Sequence, residues 1–328
     1  MTTKLQKAVL PSILMLLMAS VSAIAETKVG GAGPIAQGQR IFYTGHSFIM
    51  FIPPFMDEFA AAAGISGQVK LGGSSIGGSS VLQHWDVGSK GKLPMEDLQR
   101  IYGKEITESM VADEQNLTKK ALRTGQVDVL TTAPLYKADD GIGKFATLAL
   151  EHNRNIRITV EQIWLRRGDA AEPVPRDYPQ TYKSVEDYNT ATIADLRERS
   201  APMFKSIDDY VADLNKKIGK PVLFVVPAGQ AVIALRERIV AGKAGMLKTQ
   251  SALFSDLTGH GTKPLLLLVS HCHYAVIYRR SPVGLPMPKT LATDKQTRWD
   301  DETLRVLQEV AWEAVTQHPL SGVHNSSK

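Results

Sequence analysis

PVLFVVPAGQAVIALR, Pro221 to Arg236, opens on an unbroken apolar run rich in valine and passes straight into a helix-forming segment. A strand with one wet face alternates apolar and polar residues. A run with no polar position reads instead as a strand covered on both faces, the pattern of a parallel sheet packed between helices. The segment predicts a strand over Pro221–Val226 and a helix over Ala231–Val240. Gln230 falls at the junction, facing the space beyond the strand, and Arg236 and Arg238 are expected on the solvated side of the helix.

The same rhythm runs outward in both directions. Strands are expected over Arg40–Tyr43, Gln68–Leu71, Val127–Thr131 and Ile156–Ile163. Helices are expected over Pro54–Ala63, Asn116–Arg123, Ile142–His152, Ile193–Ile218 (interrupted at Pro202), Pro264–Tyr278 and Glu302–Gln317. Gly64 and Gly125 supply stop signals for the first two. Gly72–Ser80 and Trp164–Lys183 read as loops. Strands alternating with helices build right-handed βαβ units, so the chain belongs to the α/β class, with a central parallel sheet and helices on both faces. In such a sheet the ligand site lies beyond the carboxyl ends of the strands.

The 328 residues are 43% hydrophobic and 22% charged, ample apolar material for a core. The first 25 stand apart from it. Lys4 and Lys7 precede a mostly apolar run, Ala8 to Ala19, and Ala23-Ile24-Ala25 provides a small-x-small cleavage pattern. This predicts a secretory signal peptide over residues 1–25 and one mature domain over 26–328, its core at about 40–286 and its last helix at about 302–317. The apolar run is short for a membrane span and holds Pro11, so no stable membrane anchor is expected. Without Lys4 and Lys7 the basic count falls from 38 to 36 against 33 acids, a net charge of about +3. That is too small to suggest a nucleic-acid partner. With Cys272 alone, no internal disulfide is possible. Export into a periplasmic or extracellular space is the expectation, and oligomeric state is left open.

Several chemistry-bearing residues fall at the expected carboxyl edge. RIFYTGHSFI, Arg40 to Ile49, ends a strand and offers His46 and Ser47. A serine needs a base to act as a nucleophile, usually a histidine oriented by a carboxylate. FSDLTGHGTKP supplies His260 with Asp256 four residues before it; the bland alternative is a turn-capping Asp and a solvated His. GGSSIGGSS, Gly72 to Ser80, can bring backbone N–H groups close to a developing oxyanion, or can be an ordinary surface loop. It contains neither a dinucleotide fingerprint nor a P-loop, so no cofactor is expected. His84 and Trp85 follow that loop, and Trp164 with Arg166 ends the fourth strand; an aromatic ring beside polar groups there suits stacking on a sugar. His271-Cys272-His273 invites a metal, but residues two apart on a helix diverge, so helix packing is expected instead.

Taken together, YTGHSF, SSIGGSS and SDLTGHGTKP resemble the blocks of the SGNH (GDSL-like) hydrolase superfamily, in the form found in secreted bacterial proteins. The resemblance spans about Arg40 to Pro286. It implies a flavodoxin-like three-layer α/β/α sandwich, with Ser47 as nucleophile, His260 as base and Asp256 orienting it. The oxyanion donors it implies are the N–H groups of Ser47 and Gly78. The sequence departs from the family at three points: His46 replaces the usual Asp or Asn, the Asp-to-His interval is one residue longer, and VLTTAP (Val129–Pro134) lacks the third block's Asn. Thr131 or Thr132, with Thr132 preferred, is the remaining candidate for that side-chain donor. The implied function is a secreted serine esterase on a small-molecule or glycan ester, with an acetylated carbohydrate as the expected class and His84, Trp85, Trp164 and Gln230 as expected substrate contacts. The alternative is a non-catalytic carbohydrate-binding or assembly domain. A two-lobed solute-binding protein would need a second copy of the first half's pattern, which is absent.

Overall fold

The computed structural model describes residues 33–86, 116–174, 179–292 and 300–324. The expected leader, its cleavage site and Glu26 lie outside the described residues. Five strands form one parallel sheet: β1 (Arg40–Gly45), β2 (Val69–Ser75), β3 (Val129–Thr132), β4 (Arg157–Glu161) and β5 (Leu223–Val226), in the order β2-β1-β3-β4-β5. This is the flavodoxin-like order of a doubly wound α/β/α sandwich. The central strand β3 and the edge strand β5 are both buried along their whole length, β5 as its unbroken apolar run requires.

The helices are α1 (Ile52–Ala62), α2 (Val81–Asp86), α3 (Leu117–Arg123), α4 (Asp140–His152), α5 (Ile193–Ile218), α6 (Ala228–Val240), α7 (Lys263–Tyr278), α8 (Lys289–Ala292) and α9 (Asp301–Gln317). Two apolar clusters form, one on each face of the sheet. Side chains of α1, α6, α7 and α9 pack on Ile41, Tyr43, Val129 and Val226. Those of α2, α3 and α4 pack on Phe42, Leu130, Ile158 and Val225. The long α5 serves both: Leu196 and Met203 join the first cluster, Ile207 and Val211 the second.

Several elements differ from their sequence-based bounds for physical reasons. β2 runs on to Ser75, taking in half of the Gly/Ser stretch expected as loop. It is an edge strand held by backbone bonds to β1, with an irregularity between Ile41 and Phe42, and it needs no apolar side chains to form. Gly72 sits there at φ +150°, where an added Cβ would lie 3.1 Å from the Phe42 ring. Pro202 does not interrupt α5. Pro202 and Glu198, whose carbonyl loses its helical donor, are both exposed, so water can satisfy that oxygen. Arg236 is not solvated: it is 2% exposed and its guanidinium forks onto Asp169, with two bonds of 2.8 Å. Its Nε–H donates to Gln250 Oε1 at 2.7 Å and its second Nη2–H to the Tyr188 carbonyl at 2.9 Å. Arg236 thereby ties α6 to the segment after β4. Among the described residues no helix is long and apolar enough to cross a membrane.

The His271–His273 pair faces the core from α7. His273 Nε2 lies 2.7 Å from Glu161 Oε2, both side chains being fully buried. His271 stacks on Phe59 at 4.7 Å, and neither of its ring nitrogens has a hydrogen-bond partner. Burial pushes the His271 pKa down to about 3. The unfolded chain therefore takes up this proton first, at a pKa of about 6.5, and stability present above that pH is lost as pH falls toward 3. His271→Phe keeps the stack and removes the titration. Urea unfolding at pH 7 and pH 5 should show a stability difference about 2 kcal/mol smaller in the variant than in the wild type. An equal pH dependence would contradict this assignment.

Candidate active site

β1 delivers Gly45, His46 and Ser47 to the carboxyl edge, and the chain turns there before α1 begins at Ile52. The apolar residues after the serine thus form the turn rather than the first turn of helix. Gly45 lets the turn close tightly: an added Cβ would sit 2.9 Å from Ile49 Cγ2 and 3.1 Å from Ala133 Cβ, so its neighbours would have to shift. Ser47 is exposed, whereas His46 beside it is 1% exposed. Burial, helped by the nearby Arg166 charge, lowers the His46 pKa to about 3. His46 is therefore a neutral packing residue.

The loop before α7 brings His260 to this point. Ser47 Oγ lies 2.9 Å from His260 Nε2, and His260 Nδ1 lies 2.6 Å from Asp256 Oδ2. The second Asp256 oxygen accepts the N–H groups of Gly259 and His260 at 3.0 and 3.1 Å. An ionised Asp256 can only accept, so Nδ1 carries the ring proton and Nε2 is free to accept the seryl proton. Burial by itself would raise the Asp256 carboxyl, but the bonds from the His260 ring and from the two backbone N–H groups outweigh it and hold the pKa below the usual range. Asp256, His260 and Ser47 thus form a continuous chain of hydrogen bonds, with two residues from one loop and the third from the far end of the sequence. Two backbone bonds fasten the loop: Ser255 N–H to the His260 carbonyl at 2.8 Å and Arg167 N–H to the Thr258 carbonyl at 3.1 Å.

The Gly/Ser segment lies alongside. Ile76 N–H donates to the Gly45 carbonyl at 3.1 Å, which stitches the end of β2 to β1 two residues before the serine. Gly77 and Gly78 then turn the chain, Gly78 at φ +63° and exposed. His84 fixes this turn and is not a substrate contact as expected. Ser74 Oγ donates to His84 Nδ1 at 2.9 Å, His84 Nε2 donates to Ser79 Oγ at 2.8 Å, and Ser79 Oγ donates to the Ile76 carbonyl at 2.8 Å. Burial lowers the His84 pKa to about 4, and with the ring neutral every proton in that series is used once. A cavity of about 400 Å³ opens at the same edge, between Ser80 and Leu82 on one side and Leu135 to Asp140 on the other.

The remaining sequence candidates are placed elsewhere. Thr132 is fully buried and its hydroxyl donates to the Thr159 carbonyl at 2.9 Å, so it presents no donor to an oxyanion. Thr131 is equally buried. Trp85 packs edge-on against Phe145 at 5.1 Å in the opposite helix layer, with the Lys119 ammonium 4.2 Å over its ring. Gln230 donates to Gln162 Oε1 at 3.1 Å, within the sheet edge. Trp164 is 2% exposed and cannot stack on a sugar. Its indole lies flat on Phe48 at 4.5 Å, and its N–H donates to the Gly259 carbonyl at 2.8 Å. Phe48 is the one residue of this cluster that the sequence left unmarked; its only signal was its place directly after the serine.

No family model and no curated protein matches the chain. Among solved structures, a DUF4886 family protein from Bacteroides uniformis is similar, with 14% sequence identity and a TM-score of 0.52. The similarity covers 86% of this chain and 95% of that one, and at such an identity it speaks for the fold alone.

Proposed function

We propose that the protein is a serine esterase related to the SGNH hydrolases, exported by its cleavable leader. The observation that carries this reading is the Ser47–His260–Asp256 chain of hydrogen bonds, 2.9 and 2.6 Å long, at the exposed carboxyl edge of the sheet. In the proposed cycle Ser47 Oγ attacks the acyl carbonyl while His260 Nε2 takes the hydroxyl proton. Asp256 holds the ring tautomer and stabilises the imidazolium that forms. The N–H groups of Ser47 and Gly78 stabilise the oxyanion. His260 then returns the proton to the departing alkoxide, and a water repeats the sequence on the acyl-enzyme.

One observation favours a second reading, a non-catalytic binding or assembly domain. The side-chain oxyanion donor expected after β3 is missing, because Thr132 is committed to Thr159. Loss of one such donor costs roughly a hundredfold or more in rate. An acetylated carbohydrate remains the proposed substrate class in its acyl half, but its sugar half has no platform in Trp164 or Trp85.

Fluorophosphonate labelling separates the two readings. The wild type should take the label and hydrolyse a short-chain aryl ester, and Ser47→Ala should lose both with its thermal stability nearly unchanged. His260→Ala should abolish turnover while its far-UV circular dichroism matches the wild type. Wild-type protein that neither reacts nor turns over, yet binds a glycan, would establish the non-catalytic reading. For export, N-terminal sequencing of the secreted product should begin at Glu26; recovery from the cytoplasm with Met1 in place would contradict it.

A further inference from the structure

We propose that Trp164 is a positioning residue that sets the Ser47–His260 distance by holding both sides of it at once. The inference rests on the esterase reading for its consequence in rate, but its geometry stands independently of that reading. Trp164 follows β4, two strands away from β1 across the sheet. Adjacent strands are about 5 Å apart, so the indole bridges about 10 Å of sheet edge. Its ring face lies on Phe48 with an interplanar angle of 6°, and Phe48 is the residue next to the nucleophile. Its N–H donates to the carbonyl of Gly259, the residue next to the base. Phe48 in turn meets the His260 ring edge-on at 5.3 Å. One buried side chain therefore bonds to the neighbour of His260 and stacks on the neighbour of Ser47.

The local backbone is built around this contact. Gly259 has φ +98°, a conformation that L side chains rarely adopt, and an added Cβ would lie 3.3 Å from the Leu165 carbonyl and 3.7 Å from Trp164 Nε1. The loop thus packs closely on residues 164–166, and a side chain at 259 would be strained chiefly by the positive φ. The internal bonds of Asp256 to Gly259 and His260 shape the loop but do not locate it relative to Ser47. The Tyr188 hydroxyl, donating toward the Asp256 and Leu257 carbonyls at 3.3 and 3.4 Å, anchors the loop's far end and does not touch the serine turn. The Arg167 N–H bond to the Thr258 carbonyl also ties the loop to the segment after β4, but Trp164 alone of these contacts reaches the serine turn as well, through Phe48. A loss of alignment by an ångström at such a site can cost about a hundredfold in rate.

The test uses Trp164→Phe, which keeps an aromatic face for Phe48 and removes the N–H. Trp85→Phe, in the opposite helix layer, is the control. The decisive readout is the strongly deshielded His260 Nδ1 proton in NMR spectra below room temperature. It should be sharp in the wild type and in Trp85→Phe, and broadened by solvent exchange in Trp164→Phe. In the same proteins fluorophosphonate labelling should slow by between about tenfold and a hundredfold in Trp164→Phe alone, with KM for an aryl ester unchanged and kcat lowered. Should Trp164→Phe fail to fold, Phe48→Leu removes the stacking partner from the other side, and the same broadening is expected. A resonance as sharp in the folded variant as in the wild type overturns the inference. Wild-type protein that takes no label overturns the esterase reading instead, and the resonance comparison still decides the role of Trp164.

Discussion

In a parallel sheet every strand ends at the same edge, and this constraint does more than any single contact to place the functional residues. Ser47 follows β1, the Gly77-Gly78 turn follows β2, Trp164 follows β4, and the loop of Asp256 and His260 precedes α7 at the same edge. The turn after β1 needs Gly45, which leaves room for Ala133 and Ile49. The Gly45 carbonyl then accepts the Ile76 N–H and fixes the glycine turn beside Ser47. Short backbone bonds at strand ends thus convert a fold-level arrangement into a local one.

Burial sorts the histidines into roles. His46, His84 and His271 are buried and held neutral, each by loss of solvation, and each packs or fastens the structure around it. His260 keeps 39% of its side chain exposed and has a carboxylate on one ring nitrogen and a hydroxyl on the other. That combination is the one the proposed esterase cycle asks of its base. The difference lies in environment, since nothing in the residue type distinguishes the four.

The sheet and most helices were legible because buried strands leave unbroken apolar runs, as Pro221–Val226 does, and amphipathic helices leave periodic ones. β2 was half hidden, since an edge strand held by its backbone can be written in Gly and Ser. Ser47, His260 and Asp256 could be named from local motifs, and the structure brings the three within hydrogen-bond reach. The surrounding residues were misread for one recurring reason: sequence gives the residue type but not the side it faces. Trp164 and Trp85 offered rings, yet both are engaged by protein. Arg236 lies on an amphipathic helix with a charge that only Asp169, 67 residues away, explains. Thr132 has the right place along the strand, but its hydroxyl is taken up by the neighbouring strand.

On the proposed reading, the exposed seryl hydroxyl just after β1 is the nucleophile of a site whose oxyanion donors are backbone N–H groups. A crystal structure of the fluorophosphonate-treated protein tests it most directly. Phosphorus should be bonded to Ser47 Oγ, with a phosphoryl oxygen within hydrogen-bond distance of the Ser47 and Gly78 N–H groups and His260 Nε2 still within reach of the bridging oxygen. Phosphorus on another residue, or an untouched Ser47 in fully exposed protein, would contradict it.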